Sequence, residues 1–254
     1  MLLEIRNLSL MNRNNNKLLL KNINLQVRKG EIIGIVGQSG SGKTLTGLTI
    51  NRLLDNNIFK ITQGEILYNG QNLLSLDEKS LRKIRSNDIA MIFQEPMLSL
   101  NPVQTIKTQL VEVIKLHVTD NLQTINQLSH DILSSTGLTD TNKILMSYPH
   151  MLSGGQRQRV MIAIALVCSP EVLIADEPTT ALDVTLQLQI LDLLKSFNLN
   201  KNMSLILISH DLDLIKNYTD NVYILNNGLV VESGSTENIF KHPKDTYTKE
   251  LIDS

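Results

Sequence analysis

The chain has 254 residues, 42% of them hydrophobic, enough for one large domain or two small ones with a proper core. Lys+Arg total 24 and Asp+Glu 25, so the formal net charge is -1 and a global basic footprint for nucleic acid is missing, which leaves room only for a local patch. The one cysteine, Cys168, excludes an internal disulfide framework and a cysteine-cluster metal site, and it fits a reducing compartment.

Along the chain, Leu2–Ile5 reads as a strand, and the Asn-rich stretch from Asn12 to Asn16 as a solvated turn. Ile23, Leu25 and Val27 alternate with polar residues, as in a half-buried strand. Glu31–Val36 is a short apolar run of the buried-strand kind, leading into a glycine-rich loop and then helical character over Leu45–Leu54. Glu65–Tyr68 is a strand closed by the turn pair Asn69-Gly70. The period then changes. Ile106, Leu110, Val113 and Ile114 suit one helical face; Leu122, Ile125, Leu128, Ile132 and Leu133 suit another, stopped by Gly137. Strand–helix alternation resumes at Val172–Ala175, Leu186–Phe197, Leu205–Ser209, Asp211–Tyr218 and Val222–Leu225. Asn226-Asn227-Gly228 makes a hairpin turn before a short polar tail. Such alternation argues for an α/β sheet with helices on its faces, carrying a mostly helical insertion from about Pro96. The longest apolar stretch, about Val160 to Cys168, is too short for a membrane span of roughly 20 residues, and the N-terminus lacks the parts of a signal peptide. A cytoplasmic protein is expected.

Gly37-Gln38-Ser39-Gly40-Ser41-Gly42-Lys43-Thr44 meets GxxxxGK[ST] at every fixed position, with a strand before it and a helix after it. Glycines let the backbone curl so that N–H groups converge on phosphate oxygens, and the helix after the loop points its positive end there. Lys43 would reach the β- and γ-phosphates, and the Thr44 hydroxyl would bind Mg²⁺. The apolar run Val172–Ala175 sets Asp176 at a strand's carboxyl end, where it would hold Mg²⁺ through water; Glu177 would orient or deprotonate the attacking water. Two acids that merely keep a strand exit soluble are the plain alternative.

Leu152-Ser153-Gly154-Gly155-Gln156 precedes an apolar helix, with Ser153 as a good N-cap and two glycines leaving N–H groups bare. This is a second anion-binding helix start. One γ-phosphate does not need two from one chain, so the second is expected to serve a nucleotide held by another subunit.

In these motifs the sequence resembles the ATP-binding cassette (ABC) ATPases, over essentially the whole chain: the Walker A loop GQSGSGKT, the signature LSGGQRQR, the Walker B segment VLIADEPTTALD, a Q-loop glutamine, Gln94, in MIFQEPMLSLNP, and a switch histidine, His210, in ISHDL. The resemblance implies a P-loop NTPase (RecA-like) α/β core, about 1–95 and 166–254, with an antiparallel β subdomain and a helical subdomain at about 96–165, all in one ATP-binding domain. It also implies that Gln94 touches the Mg²⁺ or the attacking water, that Glu95 to Gln104 line a surface receiving a membrane subunit, that His210 contacts the γ-phosphate, and that Asp183 lies on a dimer interface. Ser153, Gly154, Gly155 and Gln156 would close on ATP bound to the partner. The family usually stacks adenine on an aromatic residue upstream of the loop, yet no aromatic precedes Phe59; Arg13 or an aliphatic side chain from about Met11 to Lys17 would take its place.

Within the family, NDIAMIFQEPMLSLNP, SYPHMLSGGQRQRVMIAIAL and the tail IFKHPKDTYTKEL resemble the peptide/nickel importer group. The absence of late cysteines looks more like its nickel or metal-chelate branch than its peptide branch. The resemblance implies a heterodimer with a paralogous ATPase subunit, docked on two membrane permeases at the cytoplasmic face and fed by an extracytoplasmic binding protein, with no nucleic acid. The alternative is a DNA-repair or other non-transport ABC ATPase. Those carry a long coiled coil between the Walker motifs, where about 130 residues without sustained heptads occur here.

Overall fold

A computed structural model describes residues 1–94, 99–180 and 183–253. In chain order its elements are β1 (Leu3–Asn12), β2 (Leu18–Val27), β3 (Ile32–Val36), α1 (Lys43–Ile50), β4 (Phe59–Tyr68), β5 (Gln71–Asn72), α2 (Glu78–Ile84), β6 (Ile89–Ile92), α3 (Ile106–His117), α4 (Leu122–Ser135), α5 (Thr141–Met146), α6 (Gly154–Leu166), β7 (Val172–Asp176), α7 (Val184–Lys201), β8 (Ser204–Ser209), α8 (Leu212–Tyr218), β9 (Asn221–Asn226), β10 (Leu229–Ser235), α9 (Thr236–Lys241) and α10 (Thr246–Ile252). They form two compact units: residues 1–81 with 204 onward, and residues 82–203.

The first unit holds an antiparallel sheet in the order β2-β1-β4-β5. It also holds β3, which runs parallel to both β8 and β9, while β10 pairs antiparallel with β9. Every residue of β3 and of β8 is buried, which accounts for their unbroken apolar runs. Gly34 in β3 faces α8: a Cβ there would stand 2.8 Å from Ile215 Cγ2, so helix and strand pack at contact distance.

The second unit pairs β6 and β7 in parallel, Ile92 opposite Ala175. Its core draws Ile106, Leu110 and Ile114 from α3, Ile125 and Leu133 from α4, and Val160 and Ala163 from α6. The i, i+4, i+8 spacing on α3 buries one stripe of that helix. Caps fix the helix starts: Thr105, Asn121 and Asp140 each accept a backbone N–H of the first turn of α3, α4 and α5.

Three expectations change. Leu122 is 73% exposed, so α4 buries Ile125, Ser129 and Leu133 instead. β1 is longer than the expected Leu2–Ile5 because its register slips between Ile5 and Leu8, where Asn7 takes φ +49°. Opposite that bulge, a Cβ on Gly64 of β4 would stand 2.5 Å from Leu8 Cα. Finally, the region after Gly228 is β10, α9 and α10 rather than a short polar tail. Its residues are mostly half-buried or exposed, so no apolar run announces it.

Candidate functional site

In the first unit the glycine-rich loop leaves the carboxyl end of β3 and enters α1 at Lys43. Gly37, Gly40 and Gly42 all have positive φ, at 155°, 79° and 109°. Gly37 is also pinned by space, since a Cβ would lie 2.1 Å from the Leu225 carbonyl oxygen. Gln38 donates its N–H to the Tyr247 hydroxyl at 2.9 Å, and the Ser41 N–H reaches the Gln38 carbonyl at 3.2 Å. Lys43 is 6% exposed, and its ammonium donates to the carbonyls of Gly37 and Gln38 at 2.7 and 3.1 Å. The buried Ser41 hydroxyl has no hydrogen-bond partner among the described residues, an orphan polar group that an anion in the loop would satisfy. Ser39 and Gly40 are exposed, and Thr44 stands in the first turn of α1. Val36 and Ser209 are register partners in β3 and β8. The loop and His210 therefore leave neighbouring parallel strands at the same end, where ligands bind in open α/β sheets. Behind His210, Asp211 caps α8 by accepting the Leu214 N–H at 3.1 Å.

The hairpin tip between β9 and β10 braces this loop. The Gly228 N–H donates to the Ser41 carbonyl at 2.9 Å, and the Gly228 carbonyl accepts from the Lys21 N–H at 2.7 Å. A Cβ on Gly228 would fall 2.0 Å from the Leu19 carbonyl oxygen.

In the second unit the same strand-end logic brings Gln94 and Glu177 together. Gln94 follows β6 and Glu177 follows β7, and the Gln94 side-chain amide donates to Glu177 Oε2 at 3.0 Å. Asp176, 2% exposed, ends β7. Glu177 takes φ +44°, a left-handed value that a residue with a side chain adopts only under constraint. The constraint is visible. The Thr180 N–H reaches the Glu177 carbonyl at 3.2 Å, and the Thr180 hydroxyl donates to Glu177 Oε2 at 3.0 Å. Sequence reasoning missed Thr180; its signal was a hydroxyl three residues after the acid, the spacing of a turn.

Ser153 caps α6 as expected, in a reciprocal box: its hydroxyl accepts the Gln156 N–H at 3.3 Å, and Gln156 Oε1 accepts the Ser153 N–H at 3.0 Å. Gly154 faces open space, and a Cβ on Gly155 would meet Leu186 Cδ1 at 3.4 Å. Ser153, Gly154, Gly155 and Gln156 share a cavity of about 470 Å³ with Asp183 and Arg159. Asp183 caps α7, accepting the Leu186 N–H at 3.0 Å.

Of the expected membrane-facing segment, Glu95 to Gln104, residues 95–98 lie outside the described residues. Ser99, Leu100, Asn101 and Gln104 line a cavity of about 420 Å³ together with Phe93, itself 38% exposed. Gln109, which the sequence did not single out, clamps this turn: its Oε1 accepts the Asn101 N–H at 2.9 Å, and its Nε2 donates to the carbonyls of Asn101 and Gln104 at 3.1 and 3.2 Å. Burial pushes the Cys168 thiol up to about 11, so it carries no thiolate chemistry at neutral pH.

A family profile described as ABC transporter matches residues 20–180. The dipeptide transport ATP-binding protein DppD of Escherichia coli (strain K12) is 45% identical over 230 residues, covering 91% of this chain and 70% of DppD. The peptidoglycan transport ATP-binding protein YejF of Agrobacterium fabrum is also 45% identical over 230 residues, but they make up 42% of YejF, so this chain spans less than half of that relative. Among solved structures, the ATP-binding cassette MJ0796, dimeric in a post-hydrolysis state with ADP and Pi, superposes with a TM-score of 0.81 at 28% identity, covering 92% of this chain and 99% of that one. With its phosphate loop and the Gln94–Glu177 pair carried on a matching fold, this chain belongs to the ABC transporter family and is one of its ATP-binding, ATP-hydrolysing cassettes.

Proposed function

We propose that the chain powers the import of short peptides, as the ATPase subunit of a transporter whose membrane passage is formed by other chains. The observation that carries the reading is the 45% identity to the dipeptide transport protein DppD over nine-tenths of the chain. Nickel or a metal chelate is the second reading, and the names of DppD and YejF favour peptides over it. Among the described residues no helix is long and apolar enough to cross a membrane. We assign attachment to the cytoplasmic face through two permease subunits, a paralogous second cassette and an extracytoplasmic binding protein. The cavity at Phe93 and Leu100 is where a permease segment would insert.

In this reading the whole chain is one ATP-binding domain, its helical part at about 96–165. Residues Gly37 to Thr44 cradle the phosphates, and Lys43 exchanges its loop carbonyls for phosphate oxygens. The oxygens of Thr44, Asp176 and Gln94 are hard donors of the kind Mg²⁺ takes, and these residues are the proposed ligand set. When bound, Mg²⁺ supplies charge neutralisation at the phosphates. Glu177 orients and deprotonates water, held in place by Gln94 and Thr180. His210 contacts the γ-phosphate. Ser153, Gly154, Gly155, Gln156 and Asp183 act on the nucleotide of the partner cassette.

For adenine, the candidate platform is aliphatic. Leu18 opens β2 and pairs across strands with Met11, after a register shift that separates it from the buried Leu10–Leu20 pair. Leu18 is 44% exposed. Leu18→Ala should weaken ATP binding severalfold in a fluorescent-nucleotide titration; unchanged affinity moves the base elsewhere, with Arg13 the next candidate.

Uptake decides the substrate. A strain lacking this chain should lose transport of labelled dipeptides and keep transport of nickel. Loss of nickel uptake alone would replace the peptide reading.

A further inference from the structure

We propose that Gln158 is a positioning residue for Glu177, through which the helix that begins at the signature segment holds the carboxylate of the chain's own site. The inference rests on the reading of Glu177 as the residue that activates water.

Gln158 stands in the second turn of α6 and is 2% exposed, among Val160, Met161 and Ile162. A primary amide is costly to bury without a partner. Its Nε2 donates to the carbonyl of Pro178, the residue next to Glu177. Proline has no N–H, so that carbonyl is the one main-chain group by which Pro178 can be anchored. Inside the turn, Thr180 supplies both of its bonds to Glu177 itself. Gln158 thus anchors the Pro178 backbone from outside the turn, where Gln94 holds the Glu177 carboxylate and Gln187 the Thr179 carbonyl, against a backbone at φ +44°.

The same helix also grips α7, the next element after the turn. Arg159 Nη2 donates to Gln189 Oε1 of α7 at 2.8 Å, and Gly155 lies against Leu186, also of α7. α6 therefore touches the Glu177 turn on one side and α7, which Asp183 caps, on the other. A shift of α6 when its N-terminus engages the partner's nucleotide would be delivered through Gln158 to Pro178 and so to Glu177. One site's occupancy would set the other site's catalytic geometry.

The test is steady-state and single-turnover ATPase on the full chain purified in complex with its second cassette, with Gln158→Leu, Glu177→Gln and the double variant made in this chain. Gln158→Leu keeps the bulk and removes the donor. It should lower kcat about tenfold, the effect of one lost buried hydrogen bond expressed in the transition state, and leave KM for ATP within about twofold. The Hill coefficient for ATP should fall towards unity. In the double variant, Gln158→Leu should cost nothing further, because the group it positions is gone. Wild-type kcat in a folded Gln158→Leu protein, or a fully multiplicative loss in the double variant, would overturn the proposal. Should the leucine variant not fold, Gln158→Asn keeps the amide but shortens its reach, and the same outcomes apply. Normal turnover in Glu177→Gln alone sinks the underlying reading instead, so the two failures are distinguishable.

Discussion

Gly37 and Gly40 stand three residues apart in one loop, both at positive φ, yet for different reasons. At Gly37 a side chain collides with the Leu225 carbonyl; at Gly40 a Cβ meets nothing within 4 Å and only the dihedral objects. Gly40→Ala should therefore cost about 1–2 kcal/mol, the left-handed penalty, and leave ATP binding measurable. Gly37→Ala should displace the loop from β9 and abolish nucleotide binding. Calorimetric unfolding and nucleotide titration on both variants check the order; equal effects would refute the assignment of a steric role to Gly37. The same economy of backbone explains the Asn-rich composition. Of the ten residues other than glycine with positive φ among those described, six are asparagine, including Asn16, Asn69 and Asn227 at turns. Glu177 is one of the four that are not asparagine, and its sequence gives no sign of it: an Asp-Glu pair after a buried strand shows where the carboxylate stands but not that a turn twists it.

Among the elements, the carboxyl-terminal one is held by charge. Glu232 in β10 accepts the N–H groups of Lys244 and Asp245 at 2.9 and 3.1 Å, at the entry to α10. Burial pushes this carboxyl up, but the hydrogen bonds from Lys244 and Asp245 outweigh it and leave it below its ordinary value of 4.5. A depressed folded value means that the stabilisation is present above the unfolded value and is lost as the pH falls through the folded one. Glu232→Gln should thus speed amide exchange over 244–252 at neutral pH, with the gap from wild type closing in acid below 4.5. A gap that persists in acid would show that packing alone holds the segment. The elements differ in how much of this was legible. β3, β7, β8 and the capped helices announce themselves because continuous burial or a capping side chain writes directly into sequence. β10, α9 and α10 do not, because their residues are mostly half-buried or exposed and write no apolar run into the sequence. Gln158 was illegible for a different reason: one buried amide in an apolar helix looks like a mismatch until its acceptor is seen.

At the scale of the whole molecule, the proposed chemistry asks for two copies of the cassette fold to meet. Each of the two units carries part of the motif set, with the phosphate loop and His210 in one, and Gln94, Asp176, Glu177 and the Ser153–Gln156 segment in the other. Glu177→Gln should bind ATP with near-normal affinity, lose hydrolysis by at least about a hundredfold, and accumulate as a dimer in ATP, read by light scattering. A variant that stays monomeric in ATP would argue against nucleotide-driven closure, and one that turns over normally against the role of Glu177. Strand-end geometry made the placement of the phosphate loop, Gln94, Asp176 and Glu177 readable from sequence, since a motif after an apolar strand has only one place to go. The clamp at Gln158 was not readable, because it acts through a carbonyl twenty residues away that only the fold brings near.

The hairpin tip at Gly228 has a consequence for how the protein ages. Asn-Gly pairs deamidate when the glycine nitrogen attacks the asparagine side chain, and the chain has two such pairs with the asparagine at positive φ, Asn69-Gly70 and Asn227-Gly228. At Asn227 that nitrogen is committed to the Ser41 carbonyl at 2.9 Å, whereas Gly70 stands where a Cβ would meet nothing within 4 Å. On storage, peptide mapping should find isoaspartate gathering at Asn69 well before Asn227. The bond that braces the phosphate loop also protects the turn that makes it; equal ageing of the two pairs would mean that the tip opens far more often than its hydrogen bonds suggest.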